Sequence, residues 1–281
     1  MTAQFVPTQQ DVTAFYDQSI PLISQVAGHN SHSGYWSSAQ DASNLRQASD
    51  ALTDALIERL PVGPADRVLD VGSGLGGPAL RLARATGAAV DGIDASSALI
   101  AESRRLADEA GLADRVRFTQ ADAMAELPFV SDTFDAAWVV ESFVHMADRQ
   151  AAIQQIARVL KPGGRLVLTD FYERFPFTGD RLEMNEMFRR MTLNSPFPTL
   201  AGLADMVRAA GLYPVEITDL SERVSRHYPE MVKVLREKAA KLSGDYGAEA
   251  IAALEAVCQN CIATGEPNYL VMTALRPEAA A

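Results

Sequence analysis

The chain has 281 residues, of which 48% are hydrophobic and 22% charged, a composition typical of a folded globular protein with a sizeable core. Its formal net charge of -11 argues against general nucleic-acid binding, because phosphate affinity needs clustered Lys and Arg. No apolar run approaches the roughly 20 residues that span a bilayer, and the N-terminus has no signal-peptide pattern. We therefore expect a cytoplasmic protein with neither a membrane span nor a nucleic-acid partner.

The first sixty residues predict two helices with a polar loop between them. Apolar residues at helical spacing place the helices at 11–19 and 44–60 and the loop at 27–38. Short apolar runs then predict strands at 67–71, 89–93, 116–120, 134–140, 165–169, 214–219 and 269–275. The segments between them predict helices at 78–86, 96–110, 149–160, 200–210 and within 229–263.

This alternation predicts an α/β fold in which helices cover both faces of a parallel sheet. Segment 171–198 interrupts the pattern with aromatic, Met, Pro and Arg residues and is too long for an ordinary connection, so we expect an inserted helical cap there. We divide the chain into an N-terminal helical part (1–60), a ligand-binding core (61–171), a helical cap after the fifth strand (172–200) and the remaining sheet and helices (201–281).

A glycine-rich turn follows the first predicted strand. Gly72, Gly74 and Gly77 match the pattern G-x-G-x-x-G, which lets a ligand lie against bare backbone at a helix N-terminus. The pattern alone fits a dinucleotide or S-adenosylmethionine. Asp70 favours the second ligand, because a carboxylate repels a pyrophosphate and attracts an ammonium group.

Acidic residues also end the next two predicted strands. Asp94, followed by Ala95, can accept hydrogen bonds from both hydroxyls of a ribose. Asp122 and Ala123 can bind an adenine through the carboxylate and the neighbouring backbone N–H. Each acid alone could instead cap a helix or form a turn. Three acids at three successive strand ends indicate one ligand-binding edge.

These motifs resemble a known family. Val-Leu-Asp-Val-Gly-Ser-Gly, Gly-Ile-Asp, Ala-Asp-Ala, Asp-Thr-Phe-Asp and Leu-Lys-Pro-Gly-Gly occur in the order and spacing of class I S-adenosylmethionine-dependent methyltransferases across 60–171. Phe-Tyr-Asp at 15–17, His-Ser-Gly-Tyr-Trp at 32–36 and Glu-Ser-Phe-Val-His-Met at 141–146 resemble small-molecule methyltransferases of antibiotic pathways. That group includes the rebeccamycin sugar O-methyltransferases and the related tocopherol and sterol methyltransferases.

The resemblance implies roles for individual residues. Gly72 and Gly74 would line the methionine end of the cofactor, and Glu141 would close that side. Asp94 would hold the ribose, and Asp122 with Ala123 the adenine. It also implies that residues 1–60 form a lid over the cofactor, in which two aromatic side chains take part, namely Tyr16 and Trp36. The lid loop at 28–32 carries an additional polar stretch, and caps differ in sequence even among relatives.

His145 and Asp170 are the candidate catalytic residues. They follow two strands on either side of one crossover helix, so both side chains could reach one cleft. A histidine can accept the proton that a hydroxyl loses on methylation, and a carboxylate beside it would orient the ring. In the rebeccamycin-like group the matching pair is regarded as catalytic. The alternative is that His145 packs beneath the cofactor and Asp170 is structural, since many such enzymes work mainly by proximity and orientation.

Two further patterns carry weaker predictions. The cap is rich in Phe and Met, which suits a bulky lipophilic acceptor, although the same residues could form the core of the cap. Cys258 and Cys261 are spaced C-x-x-C, a pattern of redox pairs and of half zinc sites. Because they fall within a predicted amphipathic helix and no histidine is close in sequence, we interpret them as small buried hydrophobic residues and expect no metal.

Together these observations predict a Rossmann-like methyltransferase with a seven-stranded sheet, S-adenosyl-L-methionine as cofactor and a small, largely apolar natural product as acceptor. We expect an oxygen to be methylated, ahead of nitrogen or carbon. One alternative is a methyltransferase-fold cyclase of a polyketide or terpenoid that uses the cofactor structurally. Others are an NAD-dependent oxidoreductase and a protein that only binds ligand. A homo-oligomer is left open.

Overall fold

The computed structural model describes residues 4–264 and 268–278. Its centre is a seven-stranded sheet in the order β3-β2-β1-β4-β5-β7-β6, which confirms the predicted Rossmann-like α/β fold. The strands are β1 (Arg67–Val71), β2 (Ala89–Asp94), β3 (Val116–Gln120), β4 (Phe134–Val139), β5 (Leu160–Tyr172), β6 (Tyr213–Asp219) and β7 (Asn268–Leu275). All seven predicted strands are present, and β5 is longer than predicted at both ends.

Helices flank the sheet and cover one end of it. They are α1 (Gln9–Ala27), α2 (Leu45–Ile57), α3 (Gly77–Thr86), α4 (Ser97–Glu109), α5 (Arg149–Val159), α6 (Asp180–Thr192), α7 (Leu200–Ala209), α8 (Ser221–Val224), α9 (His227–Glu237), α10 (Ala239–Tyr246) and α11 (Ala248–Thr264). A short 3-10 helix spans Phe143–His145. Segment 172–200 contains α6, and residues 4–60 contain α1 and α2.

Capping side chains define where the first two helices begin. The Thr8 hydroxyl accepts from the Asp11 N–H, while the Asp11 carboxylate accepts from the Thr8 N–H. Asn44 and Gln47 form the same reciprocal pair before α2. The first helix was predicted too short, because it continues through Pro21 and ends only at Ala27. This length carries α1 across the carboxyl edge of the sheet.

The prediction of a wholly parallel sheet is wrong for one strand. Strand β7 pairs antiparallel with both β5 and β6, whereas the pairs among β1 to β5 are parallel. Four helices connect β6 to β7 and bring the chain back to the edge where β6 ends. Apolar runs carry no information about strand direction, so the sequence pattern could not reveal this. The start of β7, at Tyr269, consequently lies at the carboxyl edge of the sheet, opposite Phe171 of β5.

Both faces of the sheet are buried, so alternate residues of the central strands enter different clusters. Val68, Trp138 and Val167 pack on one face, and Leu69 and Val139 lie on the other. A third cluster joins α1 and α2 to the helices between β6 and β7. The carboxyl edge of the sheet therefore lies under a helical layer built from both ends of the chain.

Candidate active site

A cavity of about 810 Å³, including the part open to solvent, lies at the carboxyl ends of the strands under α1. We call it the strand-end cavity. The residues predicted from sequence that line it are Tyr16, Gly72, Gly74, Asp94, Ala95, Asp122, Ala123, Glu141 and His145. The sheet topology thus brings most of the predicted site residues together.

The glycine turn forms one wall of this cavity. Gly72 and Gly74 have φ angles of +73° and +53°, which L side chains rarely adopt. A Cβ on Gly72 would lie 2.2 Å from the Cβ of Ser142, and the Gly72 N–H donates to the Ile93 carbonyl. The Gly74 N–H donates to Oδ2 of Asp94 at 3.0 Å. The turn is therefore fixed to β2 and presents bare backbone to the cavity.

Negative charge dominates the lining of the strand-end cavity. Asp94, Asp122 and Glu141 line it, and among the described residues no Lys or Arg does. Burial raises the pKa of Asp94, while the Ser96 and Gly74 N–H groups oppose that shift. Such a lining suits a cationic ligand with hydroxyl donors and repels a pyrophosphate. The carboxylates and the bare glycine turn therefore fit S-adenosylmethionine better than NAD.

Asp122 also has a local role. Its Oδ1 accepts from the Met124 N–H at 2.8 Å. This hydrogen bond forms a turn, which was the alternative role predicted for this acid. The same residue nevertheless lines the strand-end cavity together with Ala123. The two interpretations are compatible, because one carboxylate oxygen forms the turn.

Asp70 and Trp36 are placed away from the cavity surface. Asp70 is 2% exposed, and burial raises its pKa to about 7. Asp70 does not line the strand-end cavity, which corrects the expectation that its carboxylate contacts an ammonium group there. Trp36 is also 2% exposed, with its indole N–H donating to the Ser43 carbonyl and the guanidinium of Arg226 lying 5.0 Å from its ring. It packs with α2 and α9 rather than over the cavity.

Tyr16 and His145 meet at the inner end of the strand-end cavity. Oη of Tyr16 lies 2.7 Å from Nε2 of His145, and Nδ1 of His145 lies 2.9 Å from the Leu193 carbonyl oxygen. A carbonyl only accepts, so Nδ1 carries the hydrogen. Burial lowers the pKa of His145 to about 4, so the ring is neutral near pH 7 and Nε2 accepts from the Tyr16 hydroxyl. Burial also raises the pKa of Tyr16, so the phenol keeps its proton.

The structure does not bring His145 and Asp170 together as the expected pair. Asp170 is fully buried, does not line the strand-end cavity, and has its Oδ2 3.6 Å from Nε of Arg149. Arg149 in turn donates to the Phe143 carbonyl at 3.0 Å and to the Pro196 carbonyl at 2.5 Å. Asp170 therefore balances a buried guanidinium that ties the turn carrying His145 to the segment after α6. Nothing in the sequence around Arg149 signals this role.

Glu141 joins three separate parts of the chain. Its Oε1 accepts from the Ser33 N–H at 2.8 Å and from the Tyr269 hydroxyl at 2.7 Å. Its own N–H donates to the Thr169 hydroxyl at 3.0 Å, and its φ angle is +50°. Few non-glycine residues adopt such a backbone, and those that do cluster at functional sites. Sequence reasoning found Glu141 but missed Tyr269, because β7 was expected to run in the other direction.

A second cavity opens behind His145. We call it the helical chamber, because α1, α9 and α11 form much of its wall. Its volume is about 800 Å³, including the part open to solvent, and it shares Tyr16, Ser31, Glu141 and His145 with the strand-end cavity. Its other lining is mostly apolar, with Phe15, Ile23, Ala27, Val144, Phe171, Tyr228, Met231, Leu254, Val257 and Cys258. Tyr16 and His145 thus stand between two adjoining compartments.

The two cysteines lie in α11 and are buried and unbridged. Burial raises the pKa of Cys258 to about 12, so its thiol is protonated. Among the residues that the structure describes, no group of three or more His, Cys, Asp or Glu side chains could hold a metal ion. No helix in the described ranges is both long and apolar enough to cross a membrane.

Comparison with known proteins assigns the family. A family model described as "Methyltransferase domain" matches residues 68–164. Methyltransferase GfsG of Streptomyces halstedii is 34% identical over 268 residues, which is 95% of each chain. The 27-O-demethylrifamycin SV methyltransferase of Amycolatopsis mediterranei (strain S699) is 44% identical over 59% of this chain and 60% of that protein. Among solved structures, the [4+2]-cyclase SpnF has a TM-score of 0.83 and 33% identity over 99% of this chain and 100% of that chain. This chain belongs to the S-adenosylmethionine-dependent methyltransferases.

Proposed function

We propose that the protein methylates a hydroxyl group of a small, uncharged and largely apolar natural product. The observation that carries the proposal is the 2.7 Å contact between Oη of Tyr16 and Nε2 of His145 at the junction of the two cavities. The acceptor would occupy the helical chamber and the cofactor the strand-end cavity. A hydroxyl entering from the chamber would then meet a hydrogen-bonding pair beside the reacting methyl group.

The strand-end cavity has groups for each part of the cofactor. We assign Asp94 to the ribose hydroxyls, Asp122 and Ala123 to the adenine, and Gly72 and Gly74 to the methionine end. Glu141 adds negative charge near the boundary with the chamber. When bound, the cofactor supplies an electrophilic methyl group on a positively charged sulfur.

The chain's own contribution to the reaction is to remove a proton and exclude water. As the acceptor oxygen bonds to the methyl carbon and the carbon–sulfur electron pair goes to sulfur, the hydroxyl proton must leave. Nε2 of His145 is unprotonated and can take it, either directly or through the Tyr16 hydroxyl, which passes its own proton on. The Leu193 carbonyl stabilises the resulting imidazolium through Nδ1.

The relatives support the class of acceptor. GfsG and the 27-O-demethylrifamycin SV enzyme are named methyltransferases, and "O-methyltransferase resE" of Aspergillus sclerotiorum is 34% identical over 88% of this chain. We propose accordingly that this protein acts in natural-product biosynthesis, with an antibiotic as one class of product. A cytoplasmic location and a homo-oligomeric state stay predictions.

A second function has a specific observation in its favour. The [4+2]-cyclase SpnF matches 99% of this chain at 33% identity, so a cyclase that uses the cofactor structurally stays a candidate. Cyclisation needs an enclosed apolar chamber but no proton acceptor. The Tyr16–His145 pair therefore favours methyl transfer. The nicotinamide alternative is disfavoured by the carboxylate lining of the strand-end cavity.

The test is product mass together with matched histidine variants. The protein would be incubated with S-adenosylmethionine and a panel of macrolactone, terpenoid and aromatic alcohols, and products would be weighed by mass spectrometry. A product heavier by one CH2 supports methylation, and an isomeric product supports cyclisation instead. His145→Gln should lower the rate of product formation by about 10²–10⁴ while leaving calorimetric S-adenosylhomocysteine binding intact. His29→Gln, at an exposed position, should retain activity. Full turnover in His145→Gln would contradict the assignment of the base.

A further inference from the structure

The helical chamber contains polar side chains that the mechanism does not use. Its lining includes Asn194 and His227. Within the described part of the chain, neither the Asn194 side-chain amide nor the His227 ring makes a hydrogen bond. Buried polar groups are nearly always paired, and leaving one unpaired destabilises the folded protein. Nδ1 of His227 is such a group, and the Asn194 amide lies in the lining of the same chamber with no hydrogen bond to the described residues.

Asn194 is held rigidly beside the reacting pair. It is 3% exposed, and its backbone N–H donates to the Arg189 carbonyl at 2.8 Å. It directly follows Leu193, whose φ of +53° ends α6 and whose carbonyl binds Nδ1 of His145. Asn194 therefore lines the chamber from the same short segment that orients the His145 ring.

His227 lines the chamber from the start of α9. Its Nδ1 is shut off from water and has no hydrogen-bond partner among the described residues, and its ring packs edge-to-face on Tyr228 at 5.1 Å. Burial lowers the pKa of His227 to about 4, and the nearby His32 acts in the same direction. The ring is therefore neutral near pH 7 and offers hydrogen bonds rather than charge.

The charged groups around the chamber are also informative. In the described ranges no Lys or Arg lines it, and its single carboxylate is Glu141, whose Oε1 already accepts from Ser33 and Tyr269. An anionic acceptor such as a phosphate ester would find no counter-charge and would lie near Glu141. Desolvating such an anion is expensive unless it is paired.

We propose that Asn194, together with His227, binds uncharged oxygen groups of the acceptor other than the hydroxyl that is methylated. This inference rests on the proposed function and narrows it. The acceptor is a neutral, lipophilic molecule with at least two oxygen functions, one hydroxyl beside His145 and a further hydroxyl or carbonyl that reaches the amide. A phosphorylated acceptor is excluded by the same lining.

The first experiment needs no acceptor. Asn194→Leu replaces the amide with an apolar side chain of similar shape, so its melting temperature should equal or exceed that of the wild type, because no hydrogen bond is lost. Asn30→Leu is the matched control. Asn30 is 6% exposed and its amide donates to Asp50 at 2.8 Å, so this variant should melt several degrees lower. An equal fall in both variants would show that Asn194 is a structural residue and would overturn the proposal.

The second experiment measures binding to protein loaded with S-adenosylhomocysteine. Naphthol, the dihydroxynaphthalene isomers and naphthyl phosphate would be titrated by calorimetry. At least one diol should bind about tenfold more tightly than naphthol, and naphthyl phosphate should not bind. Asn194→Leu should abolish the preference, and His227→Phe should weaken it.

The outcomes separate this inference from the proposed function. Protein that does not bind S-adenosylhomocysteine refutes the proposed function. Protein that binds it normally but prefers no diol, or keeps the preference in both variants, refutes only the role of Asn194 and His227. Tight binding of naphthyl phosphate would likewise refute the neutral acceptor.

Discussion

The two compartments that meet at His145 are built in different ways. The strand-end cavity is formed mostly by α1 and by turns that directly follow β1, β2, β3 and β4, and the charged side chains in its described lining are carboxylates. The helical chamber is formed by α1, α9, α11 and the loop after α6, and most of its lining is apolar. The first can hold one ligand in many relatives, because its geometry follows from the sheet. The helical chamber can accept a different ligand after substitution of a few side chains on its helices.

The largest expected loss of cofactor binding comes from a substitution in the glycine turn of the strand-end cavity. Gly72→Ala places a Cβ 2.2 Å from the Ser142 Cβ at a φ of +73°, so we expect a loss of about 3 kcal/mol or more in unfolding free energy and of S-adenosylhomocysteine binding. Urea unfolding and calorimetry measure both. Gly244→Ala is the control, because it lies inside α10 with open space around it and should stabilise the protein slightly. Normal cofactor affinity in Gly72→Ala would contradict this description of the turn.

The next change acts where the compartments meet. His145→Gln should lower kcat by about 10²–10⁴, because among the described residues no other histidine lines both cavities. Tyr16→Phe should lower kcat less if the proton can reach Nε2 directly. Steady-state kinetics with an acceptor identified by mass spectrometry would measure both. Tyr213→Phe, at a 65% exposed position on β6, should retain the wild-type kcat. A large fall in cofactor affinity for His145→Gln would instead indicate that His145 serves to bind the cofactor.

A third change tests whether Asp170 serves Arg149 or His145. Asp170→Asn leaves the buried guanidinium uncompensated, and we expect a loss of about 3–5 kcal/mol in unfolding free energy. Arg149→Met combined with Asp170→Leu should recover part of that loss, because the pair is removed together. Asp205→Asn, from an exposed pair with Arg208, serves as the control and should change nothing measurable. If Asp170→Asn left stability unchanged and its effect on kcat depended strongly on whether His145 is present, the catalytic pair predicted from sequence would be supported instead.

The stability of the folded protein should also depend on pH. The pKa of His145 is about 4 in the folded protein and about 6.5 when unfolded, so the folded state binds fewer protons between these values. The free energy of unfolding should therefore fall by on the order of 3 kcal/mol as the pH is lowered from 6.5 towards 4. His227 acts in the same direction and Asp70, with its raised pKa, in the opposite one. The difference between wild type and His145→Gln isolates the histidine, and parallel pH profiles of the two proteins would contradict a depressed pKa.

The contrast between the compartments also explains what could be predicted from the sequence. Gly72, Asp94 and Asp122 each lie directly after a predicted strand, so one topological rule collects them at one edge. Asn194 and His227 are brought together only by the packing of α6, α9 and α11, and no local pattern marks either residue. Trp36 resembled a lid residue by motif, but its burial depends on α2 and α9, which the motif does not include.

Strand β7 is last in chain order and yet lies inside the sheet, between β5 and β6. During synthesis, β1 to β6 leave the ribosome before β7 does. Until β7 emerges, the position between β5 and β6 in the sheet is empty. Domains otherwise tend to fold as they leave the ribosome, N-terminal parts first. Because Tyr269 of β7 also binds Glu141, the chain can complete its site only after translation has passed this residue. A nascent chain that ends before β7 therefore lacks the hydrogen bond from the Tyr269 hydroxyl to Glu141, a residue that lines both cavities.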